Sequence, residues 1–384
     1  MKAVPVVGAG PVGMTMALSL ARYGVPVVLL DEDDRTTCEG SRSICIQRAT
    51  VEAFDRLGVG ERVAEEGVTW TCGRTYYRDT ELFEIRFPER GGERFPPFVN
   101  ISQERVERIL LERVEAEALV DLRWRSRVIG VRQDEGGVTL DLEGGGEVGG
   151  PYAIACDGPH STLRKLCGLD FPGHGHRDRF LIADIRARLP FPRERRFFFD
   201  PPSNRGRQVL LHPQPGDVWR IDWQVPPEVD AEEEHRSGRL DGRIRALVGD
   251  TPYQLVWITG YTFHQRMLRS FRERRVFFAG DAAHVMAPFG ARGLNSGVQD
   301  AENLAWKLWG VLERQGVSIV EALGQPFDPA EHEAIASDEG SAADTVVEIY
   351  QPGYRLGTTL LRPAIVKVGA KPEGTDNGPA TPPE

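Results

Sequence analysis

The chain has 384 residues, which is enough for two or three domains. Its composition, 40% hydrophobic and 27% charged, is that of a globular protein with ample material for a core. A formal net charge of −10 argues against a nucleic-acid partner, because phosphate binding needs a basic surface. No apolar run is long enough to span a membrane, and the five cysteines lack disulfide or metal-site spacing. We therefore expect a cytoplasmic protein without a membrane or metal partner.

The chain begins with the strand–helix–strand pattern of a dinucleotide-binding fold. Val4–Val7 predicts a buried strand, a helix follows to about Tyr23, and Val25–Leu30 predicts a second strand. A glycine-rich turn joins the first strand to the helix, which is the context that the G-x-G-x-x-G fingerprint requires. The sequence therefore predicts a doubly wound, Rossmann-like α/β domain. Pro5 has no explanation at this level, since it removes a hydrogen-bond donor from the strand.

The residues of this turn and of the second strand suit a dinucleotide. Gly8 permits the tight turn, Gly10 lets a pyrophosphate approach the backbone, and Gly13 lets the helix pack closely on the strands. Asp31 ends the second strand, where a carboxylate accepts hydrogen bonds from ribose hydroxyls. The acidic run 31–34 would repel a 2′-phosphate, so FAD or NAD fits this site and NADP does not.

Residues 171–269 differ in character and predict a mainly antiparallel sheet. Strands are predicted at Phe180–Ala187, Arg196–Phe199, Gln208–His212, Val218–Val225 and Gln254–Thr262, with a polar helix over residues 229–247. Apolar and polar residues alternate sharply in the fourth of these strands, so that one face of the sheet is polar. That face supplies candidate substrate contacts, each of which could instead face solvent or pair with a neighbour: Gln208, His212, Arg220, Asp222 and Gln224.

A second glycine-rich motif follows a strand predicted at Arg275–Ala279. Gly280 and Asp281 place a carboxylate at the edge of a sheet, where it can hold a polyhydroxyl chain such as ribityl. The glycine-rich loop 288–297 lets backbone approach a flat ring and opens a helix that runs through Trp309. A helix N-terminus stabilises the anionic form of a reduced flavin, so this motif favours FAD over NAD.

Three motifs in this order resemble a known enzyme family. They are G-A-G-P-V-G, C-D-G-P-H-S-T-L-R and A-G-D-A-A-H followed by P-F-G-A-R-G-L-N-S-G. Together they resemble the class A FAD-dependent aromatic hydroxylases of the p-hydroxybenzoate hydroxylase type, and within these the 3-(3-hydroxyphenyl)propionate and pentachlorophenol hydroxylase branch. The resemblance extends from about residue 3 to about residue 313. It implies cofactor contacts at Gly8, Gly10, Pro11, Gly13, Asp31, Arg42, Gln103, Val128, Asp157, Gly280, Asp281, Pro288, Gly290, Gly293, Leu294 and Asn295.

Several of these residues also have an ordinary structural interpretation. Arg42 could be a solvated loop charge, and Gln103 could cap the helix that follows it. Asp157 could cap the next helix, and His284 is interpreted as a hydrogen-bonded structural histidine rather than a base. The sequence identifies no catalytic side chain.

The resemblance also implies a domain organisation. The fold is an FAD-binding Rossmann-like domain with an inserted, mainly antiparallel substrate sheet. The FAD-binding part is predicted over residues 1–74, 95–170 and 270–325, and the substrate sheet over residues 75–94 and 171–269. The family pattern stops after Glu313, and residues 326–384 are predicted to be an irregular, partly disordered tail in place of the family's usual C-terminal part.

The implied function is hydroxylation of a phenol-like substrate with NAD(P)H and O2, through a flavin C4a-hydroperoxide. The alternatives are a halogenase, an isoprenoid reductase, and a truncated FAD-binding protein without activity. The halogenase motif Trp-x-Trp-x-Ile-Pro is absent from the sequence. The identity of the aromatic substrate, the choice between NADH and NADPH, and the oligomeric state, for which a homodimer is one option, stay open.

Overall fold

A computed structural model describes residues 3–34, 43–87, 92–287, 290–313, 317–337, 345–351, 353–356 and 359–369. The chain forms two compact units, residues 1–305 and residues 306–384. Each unit has a hydrophobic core of its own. Over the ranges described, no helix is both long and apolar enough to cross a membrane.

The helices are α1 (Pro11–Arg22), α2 (Arg48–Arg56), α3 (Gly60–Glu66), α4 (Gln103–Glu115), α5 (Thr162–Leu166), α6 (Ala231–Arg236), α7 (Arg239–Val248) and α8 (Arg292–Glu313). The strands of the first unit are β1 (Val4–Val7), β2 (Val27–Leu30), β3 (Cys45–Gln47), β4 (Val68–Trp70), β5 (Cys72–Tyr77), β6 (Thr80–Arg86), β7 (Phe98–Asn100), β8 (Val120–Arg123), β9 (Val128–Gln133), β10 (Val138–Leu142), β11 (Glu147–Gly150), β12 (Ala153–Ala155), β13 (Gly173–Arg186), β14 (Arg195–Phe199), β15 (Gln208–Gln214), β16 (Val218–Val225), β17 (Gln254–Met267), β18 (Arg272–Glu273), β19 (Val276–Phe278) and β20 (His284–Val285).

A six-stranded sheet in the order β18-β19-β12-β1-β2-β8 carries the nucleotide fingerprint. Strand β1 lies inside the sheet and runs parallel to both of its neighbours, and all four of its residues are buried. A parallel strand is buried on both faces, which explains the uninterrupted apolar sequence of β1. Helix α1 follows, and nine of its twelve residues are buried. The predicted doubly wound α/β fold is confirmed.

The position of Pro5 in β1 has a simple explanation. The N–H groups of Val4 and Gly8 donate to carbonyls on the β2 side, so the nitrogen of Pro5 faces β12. Pairing with β12 begins only at Val6, so no ladder hydrogen bond is lost. Gly150 lies against the ring of Pro5, where a side chain would not fit.

An eight-stranded sheet in the order β20-β17-β13-β16-β15-β14-β5-β6 forms the second layer. It is antiparallel except for the pair β14 and β5, as the sequence predicted for a mainly antiparallel sheet. One face carries Trp219, Ile221 and Trp223, and it packs on α6 and α7. The opposite face is polar in its middle and lies on the cavity described below. The predicted alternation of apolar and polar residues is therefore correct, and it determines which side chains of this sheet line the cavity.

The prediction of a single helix over residues 229–247 is wrong. The structure has two helices, α6 and α7, in this stretch. Gly238 separates them with a positive φ of 78°, a left-handed conformation that ends one helix and starts the next.

The second unit contains short strands, so the prediction of an irregular segment after residue 325 is wrong there. They are β21 (Val317–Ile319), β22 (His332–Ser337), β23 (Thr345–Gln351), β24 (Tyr354–Leu356), β25 (Thr359–Arg362) and β26 (Ala364–Gly369). They form two three-stranded sheets, β21-β24-β25 and β22-β26-β23. Alternate residues of β26, namely Ala364, Val366 and Val368, are buried in the core of the unit. Residues 371–384, the Pro- and Gly-rich part of the tail that was predicted to be disordered, lie outside the described part of the chain.

Candidate functional site

A cavity of about 840 Å³ opens between the glycine fingerprint and the polar face of the eight-stranded sheet. Its wall includes Gly8, Gly10 and Pro11 at the N-terminus of α1, and His212 and Asp222 from the sheet. Continuity between these two parts of the wall lets a dinucleotide and a second small molecule share one space.

The glycines of the fingerprint are required by backbone geometry. Gly8 has a positive φ of 100°, and a β-carbon at this position would overlap the carbonyl of Cys156. A β-carbon on Gly13 would overlap the carbonyl of Gly8. Gly10 faces open space and precedes α1, whose first turn has no side-chain cap. The free N–H groups and the helix dipole therefore form a site for a pyrophosphate.

Asp31 lies at the end of β2, beside the fingerprint. One carboxylate oxygen accepts a hydrogen bond from the N–H of Ala9 at 2.5 Å, and the other accepts from the N–H of Asp33 at 2.9 Å. These bonds fix the carboxylate at the edge of the cavity, and a carboxylate retains further lone pairs for ribose hydroxyls. Glu32 and Asp33 also line the wall, which agrees with the predicted exclusion of a 2′-phosphate.

Gln103 lines the cavity at the start of α4, but it does not cap the helix. Ser102 is the N-cap, and its hydroxyl accepts from the N–H of Arg105. The amide of Gln103 donates to Glu107 at 2.8 Å and accepts from the N–H of Ser43 at 3.2 Å. The side chain therefore connects α4 to the segment before β3.

Asp157 lines the cavity and also supports α5. Its carboxylate accepts from the N–H of Leu163 at 3.0 Å, and burial raises its pKa. The N-cap of α5 is Ser161. Arg164 in α5 donates to the carbonyl of Ala282 at 2.9 Å, so this motif is tied to the second glycine-rich motif. The capping interpretation of Asp157 and the cofactor interpretation are thus compatible.

The second glycine motif supplies another part of the wall. Asp281, Gly290, Gly293 and Leu294 all lie on the cavity. Asn295 is buried behind them, and it accepts from the N–H of Gln47 at 2.9 Å and donates to the carbonyls of Cys45 and Ala291. The side-chain amide of Asn295 therefore links the start of α8 to β3 by hydrogen bonds. It supports the cavity wall but does not line it.

We expect Asn295→Asp to destabilise the first unit by about 1–3 kcal/mol, because a carboxylate would face two carbonyl oxygens and have no proton to donate. Urea unfolding followed by tryptophan fluorescence measures the effect. The matched control is Gln299→Glu, the same amide-to-carboxylate change at an exposed position of α8. Equal stability of both variants would contradict the role of the amide.

His284 behaves as a structural histidine. Its Nε2 lies 2.6 Å from the carboxylate of Asp300, which also accepts from the N–H of Gly280. Burial alone would lower the pKa of His284, but the hydrogen bond to Asp300 and the charges of Asp300 and Asp281 raise it. The pair therefore holds the Gly280–Asp281 turn in place.

Most of the predicted cofactor residues come together around the cavity. Those on its wall are Gly8, Gly10, Pro11, Asp31, Gln103, Val128, Asp157, Asp281, Gly290, Gly293 and Leu294. Gly13, Gly280 and Asn295 lie behind the wall. Arg42 and Pro288 fall outside the described residues. The close glycine turn, the uncapped helix and the carboxylate of Asp31 fit the pyrophosphate and ribose of FAD.

The polar face of the sheet contains a buried ion pair. Arg220 is 1% exposed, and its guanidinium donates two hydrogen bonds to Asp184, at 2.8 and 2.7 Å. Gln214 donates a further bond to Asp184 at 2.9 Å. Arg220 therefore lies on the cavity wall with its charge compensated by Asp184.

The structure separates the five candidate substrate residues. His212, Arg220 and Asp222 line the cavity, whereas Gln208 and Gln224 do not. Gln224 instead donates to Asp178 at 3.0 Å. Pairing with a neighbour was the alternative interpretation of any one of these residues, and it holds for Gln224.

Sequence reasoning did not find Arg195, Trp257 and Tyr261 as wall residues. Arg195 lies just before the strand predicted at 196–199, and β14 includes it. Alternation along the strand is the signal that could have identified Arg195, because Arg195 lies on the same strand face as Phe197. Which face that is depends on pairing with distant strands. Over the ranges described, no group of three or more His, Cys, Asp or Glu side chains is placed to hold a metal ion.

Asp222 is an unusual carboxyl group. Burial raises its pKa to about 7, with Asp184 adding to the rise and Arg220 and Arg195 opposing it. The folded protein therefore keeps this proton to about pH 7, while the unfolded chain loses it near 3.8. The free energy of unfolding consequently falls as pH rises through this window, by up to about 1.4 kcal/mol per pH unit.

We expect Asp222→Asn to become progressively more stable than the wild type as pH rises across that window, and the difference to level off above about pH 7. Denaturant unfolding at a series of pH values measures it. Asp217→Asn, at an exposed turn between β15 and β16, is the matched control. The same pH dependence in the wild type and both variants would show that the Asp222 carboxyl does not have a raised pKa.

Comparison with known protein families gives the class of the protein. The family described as "FAD binding domain" matches residues 1–322, which is most of the chain. The chain therefore belongs to this family of FAD-binding proteins, and the prediction of FAD is confirmed. A second family, described as GrpE, matches residues 283–370, less than a quarter of the chain. That match includes the strands of the second unit.

Several relatives of the chain are monooxygenases or hydroxylases. The chain is 32% identical to a rifampicin monooxygenase of Streptomyces venezuelae, over 79% of this chain and 63% of the relative. It is 30% identical to a probable NADH-specific resorcinol 4-hydroxylase of Rhodococcus jostii, over 85% and 62%. Among solved structures it is similar to p-nitrophenol 4-monooxygenase PnpA from Pseudomonas putida, with a TM-score of 0.73, 28% identity, and 82% and 81% coverage. The chain thus spans less than two thirds of the length of these two sequence relatives.

Proposed function

We propose that the chain is an FAD-dependent monooxygenase that uses NAD(P)H and O2 to hydroxylate an aromatic, phenol-like substrate. The observation that carries this proposal is that one cavity has a wall which includes both the nucleotide fingerprint and the aromatic and polar face of the second sheet. The hydroxylases and monooxygenases among the relatives support it.

The chain's own residues have three tasks in such a reaction. The turn of Gly8 and Gly10 and the N-terminus of α1 hold the pyrophosphate, and Asp31 holds a ribose. Bound FAD would supply the redox chemistry that no side chain can provide, namely hydride acceptance from NAD(P)H and activation of O2. Phe180 and Trp257 line the cavity, where they pack against an aromatic ring and exclude water.

The experiment that tests the proposal uses the purified full chain loaded with FAD. We expect a yellow protein whose oxidation of NADH or NADPH accelerates when one of a panel of phenols is added. When the reaction is run under isotopically labelled O2, mass spectrometry should find one labelled oxygen atom in the product. Transfer of halide, or reduction of an isoprenoid without oxygen incorporation, would instead identify one of the rival flavin enzymes.

An inactive FAD-binding protein is the remaining alternative. Bound FAD without any phenol-stimulated NAD(P)H oxidation would support that alternative and reject the monooxygenase.

A further inference from the structure

Strand β6 forms one end of the eight-stranded sheet, and its outer edge has no partner strand among the described residues. Six of its seven residues are exposed, although the strand contains Leu82, Phe83 and Ile85. Phe83 is 50% exposed and Ile85 is 47% exposed. An apolar, unpaired sheet edge is a ready template for another strand, and soluble proteins normally cover or avoid one. The edge of β6 is therefore a candidate interaction surface.

The direction of the backbone groups along this edge follows from one hydrogen bond. The N–H of Phe87 donates to the carbonyl of Thr71, so Phe87 directs its backbone groups toward β5. This direction alternates along an antiparallel strand, so Ile85 also faces β5, while Glu84 and Arg86 direct their N–H and C=O groups outward. These outward groups are available to a second strand.

The pleat and the charges select one register for two copies of β6. In an antiparallel pair, residues opposite each other point to the same face, so the two-fold axis of a symmetric dimer passes through one residue. An axis at Glu84 or Arg86 would bring like charges together. An axis at Phe83 would pair Glu84 with Leu82, where the register of β6 with β5 shifts at a bulge. Among residues 83–86 an axis at Ile85 remains.

The register about Ile85 is complementary in backbone and in charge. Glu84 of each copy lies opposite Arg86 of the other, and each such pair exchanges both of its outward backbone hydrogen bonds. Within one chain, Glu84 forms an ion pair with Arg74 at 2.6 Å and another with Arg86, whose side chain is 74% exposed. The exposed Arg86 can therefore bridge the Glu84 carboxylates of both copies.

The apolar side chains meet on the other face of the sheet. Ile85 lies opposite Ile85 of the second copy, in a pair without mutual backbone hydrogen bonds, where side chains approach most closely. Phe83 of one copy lies opposite Phe87 of the other. Phe87 lines the cavity and packs edge-on against Trp70 and Phe98. The second copy thus adds an aromatic ring beside the cavity wall of the first.

We infer that β6 is a homodimer interface, in which two copies pair antiparallel about Ile85 and their eight-stranded sheets become one continuous sheet. The interface covers apolar side chains that water otherwise contacts, and the charges on its two sides compensate each other. Its formation does not depend on which reaction the cavity performs. The dimer and the proposed function can therefore each fail without the other.

Sedimentation velocity of the FAD-loaded full chain, over a range of micromolar concentrations, tests the inference. We expect the wild type to sediment as a dimer, at twice the mass of one chain. Ile85→Lys should weaken association at least tenfold, because two like charges would lie directly opposite each other. The matched control is Ile129→Lys, the same change at a similarly exposed isoleucine of β9, and it should sediment as the wild type. FAD content establishes that each variant is folded.

A disulfide reports on the register itself. Ile85→Cys places two thiols in a pair whose Cα atoms are about 4.5 Å apart, which a disulfide can span. We expect this variant to form a covalent dimer on mild oxidation. Phe83→Cys, at a similarly exposed position two residues away, should not do so, because its two copies are displaced along the strands. The wild type is the control for the chain's own cysteines, and the four that the structure describes are half-buried or buried.

Three results would overturn the inference. A wild type that stays monomeric at every concentration would leave the edge to a different partner. A dimer that Ile85→Lys does not weaken would show that the copies associate through another surface. Cross-linking of Phe83→Cys in place of Ile85→Cys would reject the pairing about Ile85.

Discussion

Replacement of Gly13 by alanine is expected to weaken FAD binding by roughly 100-fold. A β-carbon at this position overlaps the carbonyl of Gly8, so α1 must move away from the turn that we propose binds the pyrophosphate. Overpacking of this kind costs typically about 1–3 kcal/mol, and one tenfold loss of affinity corresponds to about 1.4 kcal/mol. Flavin absorbance after gel filtration, followed by titration with FAD, measures the loss.

Two further glycine variants separate the causes. Gly10→Ala introduces a methyl group into open space, so it should reduce FAD affinity while the FAD-free protein stays as stable as the wild type. Gly13→Ala should reduce both. Gly242→Ala, at an exposed position of α7, is the control and should be neutral or slightly stabilising. Wild-type affinity and stability in Gly13→Ala would show that α1 does not pack as described.

Arg220→Met is expected to cost about 3–5 kcal/mol of unfolding free energy, because it leaves the carboxylate of Asp184 buried with only Gln214 as a charge-free partner. Denaturant unfolding at neutral pH measures the change. The double variant Arg220→Met with Asp184→Leu removes both charges, and it should recover much of the loss.

Arg186→Met is the matched control, because Arg186 is exposed on the same sheet. A loss below about 1 kcal/mol for Arg220→Met would mean that water reaches the pair and screens it. The ion pair would then be a solvated part of the ligand site and would not stabilise the sheet that forms the site.

The nucleotide-binding part of this fold was largely predictable because its signals are local. The bounds of β1 match the prediction, and α1 ends one residue before the predicted end, since period, glycine spacing and strand composition all lie within thirty residues. The same holds for the Gly280–Asp281 turn. These features do not depend on contacts with distant parts of the chain.

Features that depend on distant pairing were not predictable. The two long strands β13 and β17 extend to 14 residues each because they pair with one another over most of their length. Arg195 becomes a wall residue only through the register of β14 with β15. In the second unit, β22 pairs in parallel with β26, and the short strands between them show little pattern alone.

The two separate cores have a consequence for any thermal study of this chain. In the second unit a small cluster of buried residues, among them Val346 and Val366, forms the core, while the first unit contains two larger clusters. A calorimetric scan is therefore expected to contain two transitions, and one midpoint would not describe it. Release of flavin fluorescence reports on the first unit alone, whereas far-ultraviolet circular dichroism sums both. Disagreement between these two signals would be the mark of a chain that melts in two steps.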